Sequence, residues 1–138
     1  MAYHYHDESI ITELPEDTVF VFGSNMAGQH THGAARVAAQ HFGAVNHVGR
    51  GWAGQSFAIP TLNEHLQRMP LSQIEHYIDD FKVYAQHHPK MKYFITALGC
   101  GIAGYKVSEI APLFKGIHNN VILPESFKPY IDENAISQ

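Results

Sequence analysis

A single cysteine, Cys100, stands among 138 residues. No disulfide can form within the chain, and a reducing cytoplasm is its simplest home. Charge is also sparse: 16% of residues carry one, and the net charge is −4. Without a basic field, or a basic patch interleaved with aromatic residues, neither nucleic acid nor an anionic membrane is an expected partner. No apolar run approaches the roughly 18 residues of a membrane span. The opening "MAYHYHDESI" lacks the basic and apolar regions of a secretory leader. Several common chemical signatures are missing as well. There is no HExxH, no paired CxxC, and no GKS or GKT after a glycine loop. Eleven histidines invite a metal reading at His4/His6, His30/His32 and His87/His88. Zinc sites gather three or four ligands at characteristic spacings, so solvated surface histidines account better for most of them. Neither a metal nor a cofactor is expected.

What remains is a chain 45% hydrophobic, enough to fill one core, so a single domain spanning residues 1–138 is expected. Apolar runs alternate with amphipathic ones. "TVFVFG", Thr18 to Gly23, reads as a buried strand. A loop follows, then a helix from Gly33 with Ala34, Val37, Ala38 and Phe42 on one face and Gly43 as its stop. "QSFAIPT" reads as a strand whose pairing Pro60 cuts off, entered through the glycine loop "GRGWAG". Ser72 and Glu75 have capping-box spacing before a helix carrying Leu71, Ile74, Ile78, Phe81 and Ala85. "KYFITAL" is a strand, "SEIAPLFKGI" a helical stretch with Ser108 as its N-cap, and "NVILP" a last strand. This order predicts an α/β fold of three layers, α/β/α, around a mixed, mostly parallel central sheet.

In such sheets ligands bind beyond the carboxyl ends of the strands, where "GSNMAGQHTHG" and "GCGIAG" both fall. Small residues let backbone N–H groups approach an anion, and a helix N-terminus adds partial positive charge. The bland alternative is that these glycines only permit tight turns; two loops at equivalent strand ends favour a phosphate or pyrophosphate. A side chain at Gly101 is expected to fill the phosphate space and to meet a forbidden φ.

"VFVFGSNMAGQHTHGAARVA" and "FITALGCGIAGYKVSEIAPLF" resemble the two signatures of the macrodomain family, which binds ADP-ribose. The order of motifs, FGSNxAGxHxxGAA, GQSxAIPT and GCGxAGY, is still closer to small phage and bacterial macro-like proteins, over roughly Val19 to Pro124. The resemblance implies a macro fold with a cleft for ADP-ribose or another NAD-derived nucleotide. Its ligand-binding candidates begin with Gly23, Ser24 and Asn25 at the first strand end, where Asn25 matches an asparagine that bonds the distal ribose in the family. An Asx turn within its own loop is the alternative for Asn25. Gly33, Ala34 and Ala35 would meet the phosphates at the first helix. Gly99, Cys100, Gly101, Ile102, Ala103, Gly104 and Tyr105 would wrap the second phosphate and distal ribose. Gln55 joins them from "GQSFAIPT". Trp52 is a candidate for stacking on adenine, with plain packing the equal alternative.

The chain departs from the family at catalytic positions. His32 stands where many protein-deacylating members carry aspartate, Ala103 where the glutamate-directed enzymes carry another, and "GQSFAIPT" has no lysine. Two function classes follow. One is a binder that reads ADP-ribose or sequesters a related signal nucleotide. The other is a hydrolase of an ADP-ribose derivative, such as ADP-ribose 1″-phosphate, with His30 and His32 as acid–base groups and Asn25 as a further catalytic candidate. Cys100 reads better as a small packing thiol than as a nucleophile.

Overall fold

The computed structural model describes residues 3–131. Six strands form one sheet: β1 (His4–His6), β2 (Thr18–Asn25), β3 (Gly51–Ala53), β4 (Ser56–Leu62), β5 (Lys92–Ile95) and β6 (Val121–Pro124). Four helices accompany them: α1 (Gly33–His41), α2 (Leu71–His87), α3 (Val107–Ile110) and α4 (Lys128–Ile131). The strand order is β1-β6-β5-β2-β4-β3. All neighbours are parallel except β3, which runs antiparallel to β4 at the edge.

Central β2 explains the layering. Its side chains alternate between faces as a strand requires, with Phe20 and Phe22 on one and Val19 and Val21 on the other. The phenylalanine face packs against Ala35, Ala38 and Phe42 of α1 and the residue after it, Phe20 stacking on Phe42 with ring centroids 4.5 Å apart. The valine face joins Ile74, Ile78, Phe81 and Ala85 of α2 in the larger core, together with Ile110, Phe114 and Phe127. The fold is therefore α/β/α, with α1 the one helix on its side of the sheet among the described residues.

The sequence expectations need four corrections here. Ser72 and Glu75 do not cap α2: Pro70 precedes its first residue in extended conformation, and no side chain bonds the helix start. The stretch from Ser108 is not one helix, because α3 gives way at Ile110 to a 3₁₀ turn over Ala111–Phe114 that holds Pro112 in its first positions. Its start is set by Glu109, whose carboxylate accepts the N–H of Lys106 at 3.0 Å, not by Ser108. Pro60 does not end β4, which pairs on to Leu62; β3 accompanies β4 only as far as Ala58, so Pro60 removes no bond on that edge. Finally, β1 and β3 lie in segments where no strand was expected. Among the described residues no helix is long and apolar enough to cross a membrane.

Candidate functional site

A cleft of about 430 Å3 opens beyond the carboxyl ends of β2, β4 and β5. Three loops wall it: the segment from β2 to α1, the turn after β4, and the glycine loop after β5. Both glycine loops singled out by sequence meet here, because β2 and β5 are neighbours in the sheet.

The glycine loop is built by its own turn bonds. N–H groups of Leu98, Cys100, Gly104 and Tyr105 go to the carbonyls of Thr96, Ala97, Gly101 and Gly99. Among the described residues the N–H groups of Gly99, Gly101, Ile102 and Ala103 find no protein acceptor, and all four residues line the cleft. Gly99 sits where glycine is favoured: its φ is +78°, and an added Cβ would come within 2.8 Å of Ile110 Cδ1, which would have to shift. Gly101 differs from expectation, since its φ is not positive and an added Cβ would meet no atom within 4 Å. Its freedom is space, not backbone geometry.

Across the cleft, α1 presents its N-terminus. Gly33 enters the helix at φ +57°, and Gly33, Ala34 and Ala35 all line the cleft, bringing first-turn N–H groups that have no intrahelical acceptor. No acidic residue sits in that turn to neutralise its partial charge. His32 precedes the helix with an exposed ring whose Nδ1 lies 2.9 Å from Thr31 Oγ1. Among the described residues it is the only ionisable side chain in the lining, which holds no carboxylate, lysine or arginine.

No family model, curated protein or solved structure matches this chain. Its chemistry is therefore read from the residues themselves.

Of the candidates, Gly23, Ser24, Asn25, His32, Gly33, Ala34, Ala35, Gly99, Gly101, Ile102 and Ala103 share the cleft. Asn25 lines it but spends its amide on its own loop, accepting the Gln29 N–H at 3.0 Å and donating to the Gln29 carbonyl at 2.9 Å. That is the Asx-type alternative, and it leaves the amide no free donor pair for a ribose. Ser24 likewise donates its hydroxyl to the Gly49 carbonyl.

The remaining candidates stand elsewhere. His30 is 4% exposed and outside the lining. Its Nε2 lies 3.0 Å from the carbonyls of both Val45 and Val48, so it carries the proton and ties two loops together. The ring packs edge-on to Phe22. Gln55 sits at the opening end of β4, its Nε2 donating to the carbonyls of Leu14, Pro15 and Thr18. Trp52 lies on edge strand β3, 61% exposed, in a separate groove with Arg50, Tyr77 and Tyr84. Tyr105 is buried, donates its hydroxyl to the Met69 carbonyl and carries Arg68 over its ring at 4.2 Å. Gly104 shares its turn at φ +76°. Cys100 is half-buried behind the loop, and burial, helped by the charges of Glu8 and Glu109, pushes its thiol up to about 11. Among the described residues no three histidine, cysteine or acidic side chains gather as a metal site.

Sequence reasoning missed Gln29, Thr31, Thr61, Leu62, Leu66, Thr96, Ala97 and Leu98 in the lining. Thr61 and Leu62 could have been found by applying the strand-end rule to β4. Nothing in the sequence around Leu66 marks it.

Proposed function

We propose that this protein binds ADP-ribose or a closely related NAD-derived nucleotide, with its diphosphate between the α1 N-terminus and the loop Gly99 to Ala103, and holds it without turning it over. The observation that carries this reading is the set of four unpartnered N–H groups, at Gly99, Gly101, Ile102 and Ala103, in a cleft whose opposite wall is a helix start without an acidic residue. Backbone donors of this kind suit a delocalised anion such as a diphosphate.

Binding is favoured over hydrolysis by what the lining offers. Activating water at an anomeric or phosphate centre takes a placed base. Among the described residues no carboxylate lines the cleft, and His30 is buried in a structural role, leaving the exposed ring of His32 alone. The likeness of "GSNMAGQHTHGAA" and "GCGIAGY" to macrodomain signatures supports the choice of ADP-ribose over other diphosphates. The experiment is to incubate excess protein with ADP-ribose 1″-phosphate, denature it, and chromatograph the nucleotide. Recovery of unaltered ligand from a bound complex supports a reader or sequestering protein; rapid release of ADP-ribose and phosphate overturns it.

A further inference from the structure

His32 stands at the entrance to α1 in extended conformation, φ −139° and ψ 152°, and spends no side-chain bond on the helix. Its exposed ring lines the cleft. Nδ1 lies 2.9 Å from Thr31 Oγ1. A hydroxyl rotates to serve as donor or acceptor, so this contact suits both forms of the ring: Thr31 donates to a bare Nδ1 and accepts from a protonated one. Among the described residues Nε2 has no partner.

The charged and titratable groups on the neighbouring elements all point elsewhere. Arg36 lies one turn along α1, its N–H on the His32 carbonyl at 3.3 Å. On the turn after β4, Glu64 lies 3.8 Å from His65 and Arg68 lies over the Tyr105 ring. Past the glycine loop, the Glu109 carboxylate accepts the Lys106 N–H. Beside the first loop, His47 is exposed and His30 is buried. None of these lines the cleft. Among the described residues the lining thus offers backbone donors and one side chain able to become a cation, and an anion brought beside that ring favours its charged form.

We propose that His32 is the counter-charge of the bound diphosphate, and that binding draws one proton from solvent onto its ring. The proton adds to the bare ring nitrogen, the imidazolium donates from Nε2 to a phosphate oxygen and from Nδ1 to Thr31, and no bond in the ligand changes. A ring held this way has no lone pair with which to activate water, in keeping with a protein that leaves its ligand intact. This rests on the ADP-ribose reading of the cleft.

ADP-ribose itself is the probe, because its diphosphate is esterified at both ends and gains no proton across the imidazole range. The test is calorimetric titration at constant ionic strength from about pH 5.5 to about pH 8.5, with two buffers of different ionisation enthalpy at the midpoint. Wild type, His32→Gln and His32→Arg are compared, each with a melting curve. Wild-type Kd should rise by about tenfold from the acid to the alkaline end, the scale by which a charge-assisted hydrogen bond exceeds a neutral one, and the buffer comparison should show net proton uptake. His32→Gln should melt with wild type and bind at every pH as weakly as wild type does at the alkaline end. His32→Arg should hold the tighter affinity throughout. A wild-type affinity independent of pH, or a His32→Gln protein that keeps the wild-type pH dependence, overturns the counter-charge but leaves ADP-ribose binding standing. A wild type that binds ADP-ribose at no pH overturns both.

Discussion

Asn25 holds both backbone groups of Gln29, accepting its N–H through Oδ1 at 3.0 Å and donating to its carbonyl through Nδ2 at 2.9 Å. The asparagine therefore shapes the wall of the cleft instead of reaching into it. Asn25→Ala should lower stability by about 1–3 kcal/mol, because it removes two part-buried hydrogen bonds at once. Ligand affinity should fall as the loop loosens, equally for any diphosphate. Denaturant unfolding and titration with ADP-ribose and ADP check this; a loss confined to ADP-ribose would instead make Asn25 a direct ribose ligand.

His30 and His32 should behave oppositely. His30→Ala removes a buried ring that ties two carbonyls and should cost about 2–4 kcal/mol. His32 is exposed and caps nothing with its side chain, so His32→Ala should change stability by less than about 0.5 kcal/mol. Paired urea melts decide it. Equal stabilities for the two variants would deny His30 its role as a tie between loops.

Two glycines two residues apart should also separate. Gly101→Glu has room for its Cβ and no positive φ to satisfy, so the protein should fold with near-normal stability and lose anion binding, the carboxylate entering the phosphate space. Gly99→Ala meets Ile110 at 2.8 Å from a φ of +78° and should destabilise the fold by about 1–3 kcal/mol. Circular dichroism melts with titration of the same samples read both effects.

The Cys100 thiol, raised to about 11 by burial, stays protonated at neutral pH and should alkylate far more slowly in the native protein than in urea. Because the folded pKa lies above the ordinary value of 9.0, the folded state binds this proton more tightly. Its contribution to stability is full below about pH 9 and declines as pH rises towards 11. Cys100→Ala should flatten that alkaline decline and leave ligand affinity unchanged. Rapid alkylation of the native protein at pH 7 would contradict this.

The long elements were legible from their apolar patterns: β2 is a continuous apolar run buried on both faces, and the spacing of Ile74, Ile78, Phe81 and Ala85 marks the buried face of α2. The short edge strands β1 and β3 were not, since three residues carry no period and their pairing depends on β6 and β4 arriving from far along the chain. The same contrast holds at the site. Glycine-loop residues announce themselves by composition. His30, by contrast, looks like an acid–base group in sequence and becomes a structural tie only when Val45 and Val48 fold over it. Gln55 and Trp52 sit in or beside a strand that leads to the cleft, but at its opening end and on its outer neighbour. Leu66 is invisible because its placement comes from the Asn63 turn, not from its own residue type.

The central claim is that backbone donors of the loop after β5 hold a diphosphate, and calorimetric titration of ADP-ribose into the wild type and Gly101→Glu tests it most directly. Wild type should bind with one-to-one stoichiometry, and at about 100 times its Kd the ligand should add roughly 2.7 kcal/mol of stability. Folded Gly101→Glu should show no heat of binding. A wild type that gives no heat with ADP-ribose, or a folded Gly101→Glu protein that binds it with unchanged affinity, would contradict the account.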